Sequence, residues 1–138
     1  LVIDTNDFLD HYRPPAIKDA DIWRNKSIYG FVGDNDWIIE IKDGKRTPLS
    51  IHLAQAEQAV FKITPDVHYC YLSDLDLYDN VKRCLQADQR QDAARAAQLY
   101  WEHLVPAQQS SIHTIRRPEV MIVRDLAPSE LVLITNST

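Results

Sequence analysis

The chain has 138 residues, 45% of them apolar and 25% charged, with a formal net charge of −5. That size and balance fit one globular domain, 1–138, with enough apolar material for a core. They exclude a membrane-spanning helix, since no run approaches the roughly eighteen apolar residues a span needs, and they give no bulk electrostatic sign of nucleic-acid binding. Arg116 and Arg117 remain candidates for a local basic patch. No charged-then-apolar opening resembles a secretory leader, and the start at Leu1 rather than Met fits a piece of something longer. Two cysteines, Cys70 and Cys84, are too few for a disulfide framework and read as small apolar side chains in a reducing cytoplasm. Only three glycines occur, so there is no Gly-rich phosphate loop of either common kind.

Leu1-Val2-Ile3 reads as a short strand. Pro14-Pro15 breaks the chain ahead of a helix over Ala16 to Lys26, with Ile17, Ala20, Trp23 and Ile28 on one stripe. Ile28 to Val32 is extended, Gly33 to Asp36 a turn, and Trp37 to Lys42 a largely buried strand. Asp43-Gly44 is a hairpin turn signal, with Leu49 to Leu53 returning beside that strand. The Ala/Gln/Glu-rich stretch 54–62 reads as a helix.

Val67 to Leu72 is strand-prone. Ser73 or Asp74 caps a helix over 75–86, where Leu75, Tyr78, Val81 and Leu85 keep helical spacing. The helix over 92–104 has the clearest stripe: Ala93, Ala96, Ala97, Tyr100, Trp101 and Leu104. Pro106 stops it and Gln108 to Thr114 is a loop. Glu119 to Val123 is a strand, and Pro128 to Ile134 a turn and a final strand. Strands and helices mix without strict alternation. The expected class is therefore α+β, with a small, mainly antiparallel sheet, split or two-layered, and flanking helices.

The chemistry concentrates in Arg116-Arg117-Pro118-Glu119-Val120-Met121-Ile122-Val123. A glutamate opening an apolar strand is costly to bury unless it is paired or set in a cleft. A carboxylate at a strand end beside arginines suits a site that polarises a hydroxyl or steadies a developing cation. The bland alternative is a strand-end glutamate facing water or paired with an arginine.

This stretch, with Pro128 and Leu131 to Ile134 after it, resembles the C-terminal motif of the DarT-type ADP-ribosyltransferases. The resemblance extends upstream through Thr47-Pro48-Leu49-Ser50-Ile51-His52-Leu53, the Ala54–Val60 segment, Tyr69-Cys70-Tyr71-Leu72-Ser73-Asp74 and Leu99-Tyr100-Trp101. It covers roughly residues 47–134. Arg-Pro stands where the family usually has Gln-Ala before the glutamate, and no His-x-Thr-His element stands before residue 47. The resemblance implies an ADP-ribosyltransferase-like fold and transfer of ADP-ribose from NAD, as substrate, to a thymidine base in single-stranded DNA. It makes Glu119 the catalytic acid. For the family's helix-borne arginine, which assists catalysis, it offers Arg24 as a second catalytic residue, ahead of Arg13. Tyr29, Arg116 and Arg117 are the candidates for binding NAD, and Tyr29, Trp37 or Tyr100 for stacking on bases. A cytoplasmic toxin-like role, with an antitoxin or other protein partner and no membrane, goes with it. Glu119→Ala is expected to abolish transfer with little loss of fold.

Two other readings compete. Leu1-Val2-Ile3-Asp4-Thr5-Asn6 resembles the opening of PIN-domain ribonucleases, which would make Asp4, Glu57 and Asp74 or Asp76 ligands of Mg²⁺ or Mn²⁺. The chain lacks the βα alternation of that fold. Asp74-Leu75-Asp76-Leu77-Tyr78-Asp79 also suits a helix start enriched in acids. The third reading is a non-enzymatic inhibitor, an immunity-type binding protein or a degenerate transferase fold. The five histidines show no metal-ligand spacing.

Overall fold

The Asp4 carboxylate accepts the Asp7 N–H at 3.0 Å, so the chain turns directly into α1, Thr5–His11. Ile3 carries no regular structure, which corrects the opening strand as far as it can be followed. In this computed structural model the described residues are 3–32, 37–41, 58–63, 70–107, 114–123 and 132–137. Leu1 and Val2 lie outside them. Pro15 opens α2, Pro15–Asp19, where a missing N–H does no harm. The helix expected to run on to Lys26 stops because Asp21 sits at φ 55°, a left-handed conformation that a right-handed helix cannot contain. Ile22 is then buried, and one 3₁₀ turn, Arg24–Lys26, leads into β1, Ile28–Val32.

Next come β2, Trp37–Ile41, and β3, Gln58–Ile63. The helix expected over 54–62 is corrected from 58 onward. That half is strand, paired on one side with β2 and on the other with β7, Val132–Ser137. Alanine and glutamine favour a helix locally, but the backbone of this segment is paired on both sides, and that pairing outweighs the local preference. Residues 54–57, the turns at 33–36 and 43–44, the returning strand at 49–53 and most of the loop at 108–114 lie outside the described residues.

From Cys70 on, the described elements follow expectation, while residues 67–69 of the expected strand and the turn at 128–131 lie outside the described residues. After β4, Cys70–Asp74, the Asp74 carboxylate caps α3, Leu75–Gln86, accepting from the N–H groups of Asp76 and Leu77. Asp88, at φ 56°, reverses the chain into α4, Arg90–Glu102, against an expected 92–104. Pro106 is not what ends α4; it lies in β5, Val105–Pro106. The strand expected at 119–123 is β6, Pro118–Ile122.

The class is α+β, with a small antiparallel sheet and four α-helices among the described residues. The sheet is not split: seven strands form one continuous sheet in the order β5-β4-β6-β1-β2-β3-β7. Every recorded pairing in it is antiparallel. The core joins Phe8 and Leu9 of α1, Ile22, Val81 of α3, the stripe Ala93, Ala96, Ala97, Tyr100 and Trp101 of α4, and Met121 of β6. Small alanines let α4 close against its neighbours, and each large side chain fully buried contributes about 1.5–3 kcal/mol. The Trp101 indole N–H donates to the Leu9 carbonyl at 2.8 Å and ties α1 to α4. Among the described residues no helix is long and apolar enough to cross a membrane.

Candidate functional site

Strand β6 is an interior strand, with β4 on one side and β1 on the other, and Glu119 stands opposite Ser73 of β4. Proline is tolerated at the first position of a strand, so Pro118 can open β6. Side chains alternate faces along a strand, so Glu119 shares its face with Met121, which packs in the helix-covered core. Tyr29, opposite Met121 on β1, packs against the same core. The glutamate is therefore at the end of a buried face, and its side chain keeps 16% exposure.

What meets it there is Arg24. The Arg24 Nη1 lies 2.6 Å from Glu119 Oε1, and its side chain is only 4% exposed. The same nitrogen donates to the Tyr100 hydroxyl at 2.9 Å, while Nε donates to Asn6 Oδ1 at 2.9 Å. Ser73 donates its hydroxyl to Glu119 Oε1 at 2.9 Å. Both recorded bonds of the carboxylate thus fall on Oε1, and Oε2 has no hydrogen-bond partner among the described residues. Three tyrosines surround the guanidinium, with Cζ 4.3 Å from the Tyr29 ring centroid, 4.6 Å from Tyr78 and 5.7 Å from Tyr100. Such faces stabilise a desolvated cation.

The electrostatics follow from burial. Burial is the largest influence on Arg24 and opposes its charge, but Tyr100, Tyr29 and Glu119 outweigh it and hold the pKa above the ordinary value. Burial pushes the Tyr100 hydroxyl up to about 12 and raises Tyr29 further, with the Arg24 charge opposing both shifts. At neutral pH both tyrosines are uncharged, so the charge that answers Arg24 across this contact is Glu119.

The structure therefore brings together four residues singled out in the sequence: Glu119, Arg24, Tyr29 and Tyr100. It does not bring Arg116 and Arg117 to them. Arg116 grips Asp76 with two bonds of 2.8 Å, and Arg117 bonds Asp76 at 3.1 Å and Asp79 at 2.7 Å. Hydrogen bonds from Arg116, foremost, and from Arg117 hold the Asp76 carboxyl below its usual range. These arginines line a groove of about 750 Å³ with Asp76, Asp79 and Lys82. A second groove of about 750 Å³ runs past Ile3, Asp4, Tyr78, Lys82 and Leu85. Neither groove is lined by Glu119, but Tyr78 belongs both to the second groove and to the surround of Arg24.

Of the acids proposed as metal ligands, Asp4 and Asp74 each cap a helix, and Glu57 lies outside the described residues. Among the described residues no three His, Cys, Asp or Glu side chains are grouped to hold a metal ion. Residue patterns did not reveal Asn6, Asp10, Ser73 or Tyr78 as neighbours of the site. For Ser73 the signal was present, because a polar residue at an otherwise buried strand position needs a partner. No family model, curated protein or solved structure matches this chain.

Proposed function

We propose that the chain is an ADP-ribosyltransferase of the DarT-like kind, moving ADP-ribose from NAD to a base in single-stranded DNA, with Glu119 as the catalytic carboxylate. The observation that carries this reading is the state of Glu119. One oxygen is fixed by Arg24 and Ser73, while the other meets no partner among the described residues on a side chain that is still 16% exposed. A carboxylate held this way is oriented without being used up. In the reaction the bond from ribose C1′ to nicotinamide breaks, its electron pair leaves with the neutral nicotinamide, and positive charge builds on the ribose. Oε2 stabilises that charge and takes the proton the acceptor loses as its bond to C1′ forms. Arg24 fixes the rotamer of Glu119 and touches neither bond. A cytoplasmic, toxin-like role held in check by a protein partner goes with this activity.

The test is thermal shift with NAD, then nicotinamide release and mass addition on a thymidine-containing single-stranded oligonucleotide. NAD should raise the melting temperature of the wild type by linkage. Glu119→Gln, which keeps the side chain's shape, should keep that stabilisation and lose transfer by about 100-fold or more. A folded wild type that is neither stabilised by NAD nor able to release nicotinamide removes the reading and turns the search to a stoichiometric protein partner.

A further inference from the structure

Arg24 is held through its backbone as well as its side chain. Its N–H donates to Asp10 Oδ1 at 2.6 Å, and the next N–H, of Asn25, donates to Asp10 Oδ2 at 3.1 Å. Its carbonyl accepts the Tyr29 hydroxyl. The first N–H groups of any helical turn lack an internal acceptor, and a 3₁₀ turn of three residues has almost no bonds of its own. Asp10, buried near the end of α1, supplies the missing acceptors from another helix. Asn6 lies one turn earlier on the same face of α1 and takes the Arg24 Nε–H. Two residues spaced i and i+4 thus fix both ends of one arginine, the peptide nitrogen and the guanidinium.

Helix α1 does not depend on these contacts for its own place. Leu9 is fully buried and its carbonyl takes the Trp101 indole N–H. Arg13 bridges from the Asp10 carbonyl to the Ile22 carbonyl and stacks 3.3 Å over Trp23. Loss of the Asp10 carboxylate is therefore expected to loosen the turn that carries Arg24 more than the seat of α1, which keeps Leu9 and the Trp101 bond.

We propose that Asp10 and Asn6 are positioning residues: they set where the Arg24 guanidinium meets Glu119, act through Arg24, and touch no reacting atom. The effect on rate rests on the transferase reading; the effect on Arg24 does not. The experiment uses the full chain, ¹⁵N-labelled, and follows the Arg24 side-chain Nε–Hε signal, assigned by its loss in Arg24→Lys. In the wild type that signal should be protected from solvent exchange. Asp10→Ala should shift it and speed exchange by about tenfold or more, and Asp10→Asn, which keeps one acceptor oxygen, should restore part of the protection. Val81→Ala, a core truncation on α3, should lower the melting temperature and leave the signal alone. With NAD, Asp10→Ala should lower kcat by up to about 100-fold with KM within about twofold.

An unchanged Arg24 signal in Asp10→Ala, or a kcat loss no larger than that of Val81→Ala, overturns the proposal. If the wild type neither binds nor turns over NAD, the transferase reading fails alone and the spectroscopic arm still decides. Should Asp10→Ala not fold, Asn6→Ala, which removes only the acceptor of Nε, carries the same test, and an unchanged signal there overturns the proposal.

Discussion

Two of the arginine–carboxylate contacts among the described residues differ sharply in their exposure to solvent. Arg24 and Glu119 meet with side chains 4% and 16% exposed, among three tyrosines. Arg116 and Asp76 meet with side chains 78% and 32% exposed, in a better geometry of two parallel bonds. Exposed pairs are screened and pay entropy, so good geometry adds little; a buried pair is dangerous to break because the survivor keeps its charge without solvent. Glu119→Ala should therefore cost about 3–5 kcal/mol in urea unfolding, because it strands Arg24. That is a larger cost than the little loss of fold expected from the sequence, and the same unfolding measurement decides between the two. Replacing both partners, Arg24→Met with Glu119→Leu, should recover most of that stability and leave no transfer activity. A Glu119→Ala loss no larger than that of Asp76→Ala would erase the contrast.

Tyr100 sharpens it. Its hydroxyl accepts from Arg24 Nη1 at 2.9 Å and faces Met121 Sδ at 3.4 Å, fully buried. Tyr100→Phe should cost about 1–3 kcal/mol, the range for leaving a buried donor short of an acceptor. The pH dependence has a definite sign. The folded-state value of about 12 lies above that of an exposed tyrosine near 10, so the neutral hydroxyl is favoured by folding. The associated stability is complete below about pH 10 and is lost as pH rises toward 12, a fall of about 3 kcal/mol. Subtracting the same melting series for Tyr100→Phe isolates this residue, and parallel curves for the two proteins would remove it from the account.

The half of the chain from Cys70 onward was legible because its signals are local. The α4 alanine stripe, the Asp74 cap and the apolar run of β6 each announce themselves within a dozen residues. The front was less legible because its order comes from distant partners. Nothing near Ile22 announces that Asp10, fourteen residues before Arg24, caps its turn, and nothing in 58–63 outweighs a local helical composition except the two strands beside it. Glu119 stood out as a charge in an apolar strand, and Arg24 emerged only through a resemblance to a family. Their contact spans 95 positions and no spacing rule reaches that far. Asp4 was ambiguous for a simple reason: an acid after an apolar triplet reads equally as a strand end or a helix cap, and here its carboxylate accepts the Asp7 N–H.

The smallest effect is expected at the exposed clamp. Asp76→Ala removes the carboxylate that both Arg116 and Arg117 share. Because hydrogen bonds from those arginines, Arg116 foremost, hold the Asp76 pKa below its usual range, its contribution is present above that range and lost as pH falls through the lowered value. The loss should be a small drop in melting temperature at neutral pH that vanishes in about 1 M salt, where screening is nearly complete. Glu119 should not move, since the Leu75 N–H still donates to the Arg117 carbonyl at 3.0 Å and Ser73 and Asp74 still pair with Glu119 and Pro118. On the transferase reading proposed above, transfer by Asp76→Ala should accordingly stay within about twofold of wild type, as for a surface change away from the site. If it instead falls as far as Asp10→Ala, the exposed clamp and the buried pair act together and the contrast between them fails. The site would then extend from the buried pair across the N-terminus of α3 to the exposed groove.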